Sequence, residues 1–284
     1  MIVVALVGAY AITMLFGCCG DKLLLFPTTQ VLATQGAEHR AIWVGEQRID
    51  VLVARSHPEV EPEAFVLEFC GNATRAESIA RFVADRWGNV AHVEVWVMNY
   101  PGYGQSSGKA TIGAIAPAAL ATFDALHNEA ANRPVFVAGN SLGTAPALYV
   151  AAHRSIAGLL LQNPPPLRQM LLGHYGWWNL WLVAGPVALQ IPDELDSLAN
   201  ARLVHAPAVF ISSQLDQTVP AKYQRRVFDA FAGEKRVINL PDGDHNVTPS
   251  ARVESELIED LKWMWSKPRG GVETPDPVKV SGWV

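Results

Sequence analysis

Between residues 135 and 152 the chain reads VFVAGNSLGTAPALYVAA. An apolar run leads into Gly139-Asn140-Ser141-Leu142-Gly143, and a helix-like run follows. A serine held between two glycines, where a strand gives way to a helix, has a chemical use. The tight turn lifts the hydroxyl above the strand end, and glycines at 139 and 143 remove side chains that would clash there. The helix N-terminus beneath it favours negative charge. Ser141 is therefore the candidate nucleophile of an acyl-transfer reaction, the plainer alternative being a serine that caps a helix. Pro146 falls in the first turns of that helix, where its missing N–H costs little.

A serine hydroxyl is a weak nucleophile and needs a base. The chain has eight histidines. His39 and His57 lie near an N-terminal hairpin, and His92 and His205 precede strands. His127 and His153 sit near helix ends, and His174 falls in an insert. His245, in INLPDGDHNVTPS, follows the last expected strand and precedes the last helix, on the serine's side of a parallel sheet. It is the candidate base. An acid must fix its tautomer and stabilise the imidazolium. Asp216, in QLDQTVP just after the strand APAVFISS, is the candidate. Asp242 and Asp244 compete, but residues so near His245 in one loop rarely reach the correct side of its ring. The chain order Ser141, Asp216, His245 is the order such a turn uses. The developing oxyanion needs donors, and the backbone N–H groups of Leu142 and Asn72 are the candidates. Loss of one such donor costs about 10²–10³ in rate. Activity should rise with pH as the imidazole base loses its proton.

These residues need a scaffold. Strand-like runs occur at 39–45, 48–55, 64–70, 93–100, 135–139, 156–162, 206–213 and 235–240, with a turn at Gly45-Glu46-Gln47 in the first hairpin. The run AFVLEFC reads as a strand buried on both faces. Between the later strands lie helical patterns, such as TRAESIARFVADRW with Ala76, Ile79, Ala80, Phe82, Val83 and Trp87 on one stripe. Such alternation predicts a mostly parallel sheet of about eight strands, with helices on both faces and an antiparallel hairpin at its start. Ligands of such sheets meet the loops at the carboxyl ends of the strands. An insert at about 165–204 breaks the alternation and carries Trp177, Trp178 and Trp181. It is expected to form a helical cap over the site that contacts an apolar substrate or a membrane. An ordinary helical excursion is the alternative.

The 284 residues are half hydrophobic and carry a net charge of −5 without a basic block, which excludes nucleic acid as a natural partner. Residues 1–20, MIVVALVGAYAITMLFGCCG, contain no charged side chain. They are expected to be an export or membrane-anchor segment, placing the protein at the cell envelope. Leu15-Phe16-Gly17-Cys18 resembles a bacterial lipoprotein signal with Cys18 as the lipidated residue. Bulky Phe16 and the lack of a preceding Lys or Arg leave an uncleaved anchor open. The folded body is expected over 21–266, and a flexible tail rich in Pro, Gly and Val over 267–284. The three cysteines are Cys18, Cys19 and Cys70, so the body holds one thiol and no Cys/His metal spacing. No metal and no cofactor is expected. Cys70 reads as an inert buried residue rather than a reactive thiol.

Taken together, the Ser141 pentapeptide and the order of its partners resemble the α/β-hydrolase superfamily, over about Ile42 to Trp265. The stretches NYPGYGQSSGKAT, CGNA, GNSLGTAPA and LDQTVP look like the α/β-hydrolase-domain depalmitoylase group. Gly102, Tyr103, Gly104, Ser106, Gly108 and Lys109 match that group's loop, while Pro101 replaces a small polar residue. Cys70 stands where the family commonly has histidine. The resemblance implies a membrane-associated serine hydrolase of fatty acyl thioesters or related esters, with a small-molecule or lipid-like acyl substrate. A peptidase or amidase on the same machinery, or a non-catalytic binding module, is the alternative. Gly-x-Gly-x-x-x-Gly in GYGQSSG also suggests dinucleotide binding, but the next strand ends in Gly139-Asn140-Ser141 rather than in the acidic residue that would hold a ribose.

Overall fold

The computed structural model describes residue 10 and residues 19–179, 181–247 and 249–268. Most of the expected leader, including Cys18, and the expected tail from residue 269 lie outside the described residues. A single eight-stranded sheet runs in the order β1-β2-β4-β3-β5-β6-β7-β8. Its strands are β1 (Glu38–Val44), β2 (Gln47–Arg55), β3 (Ala64–Phe69), β4 (Val93–Met98), β5 (Val135–Asn140), β6 (Gly158–Gln162), β7 (Ala208–Ser213) and β8 (Lys235–Leu240). The hairpin β1–β2 and the pair β2–β4 are antiparallel, and the rest are parallel. Strands β3, β4 and β7 are buried at every position. That is why they read as unbroken apolar runs: helices cover both of their faces. The edge strand β8 instead exposes Arg236, Val237 and Asn239.

The principal helices are α1 (Cys19–Leu24), α2 (Ala76–Trp87), α3 (Ile112–Ala130) and α4 (Thr144–His153). The cap contains α5 (Leu167–Met170), α6 (Ala184–Leu189) and α7 (Ser197–Ala201); α8 (Ala221–Ala230) and α9 (Ala251–Trp265) follow. Trp265 of α9 stacks on Phe136 of β5 at a centroid distance of 5.5 Å, and Trp87 of α2 meets the same ring at a tilt, 5.1 Å away. These rings fix two helices against the same face of the sheet. The buried stripe of α2 is Ala76, Glu77, Ala80, Val83, Ala84 and Trp87. Phe82, expected on that stripe, faces solvent instead. It lies one position off the repeat, and the Arg86 guanidinium covers its ring at 4.6 Å.

Between β6 and β7 the insert folds as short helices rather than one long one. A π turn at Leu171–Tyr175 and single turns at Trp177–Asn179 and Asp193–Leu195 separate α5, α6 and α7. Before the sheet, residues 19–36 form an arm that periodicity did not reveal. Gly20 N–H donates to Gln190 Oε1 at 3.1 Å, and Asp21 Oδ1 accepts from the Ile112 N–H at 2.7 Å, tying the arm to the cap and to the start of α3. No helix among the described residues is long and apolar enough to cross a membrane.

Candidate active site

Ser141 follows β5 directly, with φ +52°. Few non-glycine residues adopt this left-handed conformation, and it persists only where the surroundings enforce it. Here the enforcement is a close approach of backbones. A β-carbon on Gly143 would stand 2.0 Å from Phe69 O and 2.7 Å from Cys70 O; one on Gly139 would stand 2.4 Å from Gly143 O. Gly139 lets the turn close on its own backbone, and Gly143 lets it pack onto the end of β3. The Thr144 hydroxyl donates to Ser141 O at 2.7 Å and closes the turn.

Asp216 and His245 come together from the ends of β7 and β8. The imidazole Nδ1 lies 2.7 Å from Asp216 Oδ2, and the carboxylate is buried. Asp216 Oδ1 accepts from the N–H groups of Thr218 and Val219, each at 2.8 Å, and Gln224 Nε2 approaches Oδ2 at 3.3 Å. A carboxylate so fully engaged cannot swing away from the ring. Asp244 accepts instead from the N–H of Asn246. Asn163, which sequence reasoning missed, supports the histidine loop: its Nδ2 donates to His245 O at 3.3 Å, and its Oδ1 accepts from Ser213 N–H. Asn163 follows Gln162, the register partner of Asn140, so this loop is anchored on the strand next to Ser141. Its signal was an asparagine at a strand end before three prolines, and it adopts φ +51°. Among the described residues no hydrogen bond joins Ser141 Oγ to His245. Such bonds are often long before substrate binds and tighten in the complex.

The loop after β3 lies against the elbow. A β-carbon on Gly71 would stand 3.7 Å from Ser141 Cβ. Among the described residues the Asn72 N–H has no acceptor, while its side chain is fully used. Cys70 is a free, buried thiol, pushed well above its ordinary pKa by burial and by the nearby charges of Glu68 and Glu77. A thiolate is therefore disfavoured, and the inert reading of Cys70 follows.

Ser141, Leu142 and Asn72 line one cavity of about 480 Å³. Its remaining walls are mostly apolar, with Leu23, Leu24 and Phe26 from the arm and Leu167, Met170, Leu171 and Val187 from the cap. Thr218 and Val219, which hold Asp216, also border it. Of the three cap tryptophans, Trp178 lines the cavity. Trp177 and Trp181 do not, and all three are exposed on the outer surface. Among the described residues no cluster of His, Cys, Asp and Glu is placed to hold a metal ion.

No protein-family model matches the chain. Two curated relatives, the uncharacterized proteins MT2364 and Rv2307c of Mycobacterium tuberculosis strains CDC 1551 / Oshkosh and H37Rv, are each 31% identical over 157 residues. The match covers 54% of this chain and 53% of each relative, so the chain spans about half the length of the curated relatives it matches. Among solved structures, the Pyrococcus furiosus esterase Pf2001 superposes with a TM-score of 0.65 at 16% identity, over 85% of this chain and 98% of the esterase. Est1E of Butyrivibrio proteoclasticus, solved with ferulic acid, gives 0.62 at 16% identity, over 80% and 97% of the two chains. Acetyl xylan esterase 1 of Thermoanaerobacterium sp. gives 0.57 at 14% identity, over 92% and 94%. The chain has the α/β-hydrolase fold: an eight-stranded, mostly parallel sheet with helices on both faces.

Proposed function

We propose that this protein is a serine hydrolase that cleaves esters or thioesters of apolar acyl groups. The observation that carries this reading is the strained Ser141 turn at the floor of an apolar cavity, bordered by the loop that fixes Asp216 against His245. Asp216 accepts from Nδ1, which leaves the Nε2 lone pair of His245 free to act as base. His245 takes the Ser141 proton as the hydroxyl attacks the acyl carbonyl. The N–H groups of Leu142 and Asn72 receive the oxyanion. The tetrahedral intermediate collapses to an acyl-enzyme as His245 protonates the leaving group where one is needed. Water, activated by the same imidazole, then releases the acid. The neighbours whose names describe esterases support ester cleavage as the reaction class.

The apolar walls favour a substrate with a hydrophobic acyl chain, consistent with the likeness to the depalmitoylase group. Membrane association through the N-terminus belongs to the same reading. Residues 1–20 are uncharged, and Tyr10 donates to Leu182 O at the edge of a cap surface that exposes Trp177, Trp178, Trp181 and Leu182. Aromatic side chains of this kind favour a membrane interface.

The test is hydrolysis of nitrophenyl esters and acyl thioesters of graded chain length by the purified chain. Activity that is lost in Ser141→Ala and grows with chain length supports the proposal. A folded chain that hydrolyses none of them contradicts it and favours a binding module. Cleavage of amides alone favours the amidase.

A further inference from the structure

The motif NYPGYGQS has no role in the chemistry above, yet both of its tyrosines end on one short loop. Tyr100 and Tyr103 are almost wholly buried. The Tyr100 hydroxyl donates to Cys70 O at 2.7 Å, and the Tyr103 hydroxyl donates to Asn72 Oδ1 at 3.1 Å. Their rings meet edge to face with centroids 5.7 Å apart. The loop they hold contains Ala73 at φ +62°, a conformation that an unsupported chain would leave.

Both ends of this arrangement are fixed. Ser106 Oγ donates to Asn99 O and accepts from the Asp50 N–H, each at 2.8 Å, and Asn99 Nδ2 donates to Asp50 Oδ2 at 2.9 Å. The tyrosine loop is thereby fastened to β2. On the other side, Asn72 Oδ1 also accepts from the Phe26 N–H at 3.1 Å, and Asn72 Nδ2 donates to Leu24 O. The Phe26 N–H lies 3.1 Å from the Tyr103 hydroxyl as well. Every polar atom of the Asn72 side chain serves to hold the loop, which leaves its backbone N–H as the free donor.

We infer that Tyr100 and Tyr103 are positioning residues that clamp the loop 70–73 so that the Asn72 N–H meets the oxyanion. The inference rests on the hydrolase reading above and deepens it. Donor placement matters because the oxyanion forms only in the transition state. A loosened donor therefore lowers kcat while KM stays nearly constant. A tyrosine that merely filled the core would alter stability, or binding and turnover together. Burial pushes the Tyr103 phenol up to about 12, so it remains a protonated donor across the working pH range.

The experiment compares wild type, Tyr103→Phe, Tyr100→Phe, Asn72→Ala and the double variant Tyr103→Phe/Asn72→Ala. It measures kcat and KM for one nitrophenyl ester, Ki for an alkylboronic acid that forms a tetrahedral serine adduct, and Tm. The expected result for Tyr103→Phe is a fall in kcat of about tenfold, part of the 10²–10³ that a whole donor supplies. KM should stay within about twofold, and the boronate Ki should weaken by the same factor as kcat. The double variant should lie close to Asn72→Ala, because the Tyr103 hydroxyl reaches the loop through the Asn72 side chain, which that change already removes. Tyr100→Phe should show the same pattern and carries the test if Tyr103→Phe does not fold. A rise in KM at constant kcat, or additive effects in the double variant, overturns the inference. A wild-type enzyme indifferent to Ser141→Ala overturns the hydrolase reading itself, and the clamp with it.

Discussion

Nδ1 of His245 lies 2.7 Å from Oδ2 of Asp216, across a gap of 29 residues in the chain. The carboxylate's other oxygen is held by two backbone N–H groups. This pairing makes a definite demand on the acid. Asp216→Asn should leave the fold intact but present an amide where the ring needs an acceptor. We predict a fall in kcat of about 10³–10⁴, at a nearly unchanged KM. Steady-state kinetics on a nitrophenyl ester, with Tm as control, checks it. Equal kinetics in the variant and the parent would remove Asp216 from the mechanism.

The elbow predicts an effect on folding. In Gly143→Ala the new methyl would meet two backbone carbonyl oxygens, Phe69 O at the end of β3 and Cys70 O in the loop that follows it. Overpacking of this kind costs about 1–3 kcal/mol, or more where backbone must move. Urea titration should show the midpoint lowered, with activity lost alongside.

The cavity predicts selectivity. Val187 is buried in α6 and lines the cavity. Val187→Phe should fill the acyl end of the site and leave Ser141 accessible. We expect kcat/KM for long-chain esters to drop about tenfold or more, with acetate esters little affected, since one methylene in an apolar pocket is worth about 1–3 kcal/mol. A uniform loss across chain lengths would mean that the acyl group lies elsewhere.

Glu68 predicts how stability depends on pH. It is the penultimate residue of β3, and burial pushes its carboxyl from 4.5 up to about 8, with Arg86 opposing the rise. Between those values the folded chain keeps a proton that the unfolded chain has released. Stability should therefore decline as pH rises from about 4.5 to about 8, then level off. Glu68→Gln cannot ionise, so its stability should vary less over that range. Its stability relative to the parent should therefore rise by a few kcal/mol between pH 5 and pH 8, at about 1.4 kcal/mol per pKa unit. Thermal unfolding of both proteins at pH 5 and pH 8 checks this. Parallel pH profiles would show that Glu68 does not govern the effect.

Much of this architecture could be read from local patterns. The parallel strands declare themselves because both of their faces are buried, and Gly139 and Gly143 declare the elbow because a side chain at 139 would strike the turn's own backbone and one at 143 would strike the end of β3. The partnership of His245 with Asp216 was legible from chain order and position at strand ends, over nearer competitors such as Asp244. What stayed hidden was tertiary. The arm at 19–36 has no period, because backbone groups hold it, the Gly20 N–H to Gln190 of the cap and the Phe26 N–H and Leu24 O to Asn72. Asn72 was expected to supply a backbone donor, but nothing in the sequence showed that its side chain joins Tyr103 to the arm. Trp177, Trp178 and Trp181 looked equivalent in sequence, yet Trp178 alone of the three borders the cavity, since short helical turns rather than one helix set their directions.

The most direct measurement is covalent labelling by a fluorophosphonate, followed by intact mass and peptide mapping, on the parent chain and on Ser141→Ala and His245→Ala. The account predicts one adduct per chain on Ser141, none in Ser141→Ala, and labelling slowed by orders of magnitude in His245→Ala. A folded parent chain that takes no label, or one labelled equally fast without the imidazole, would contradict it.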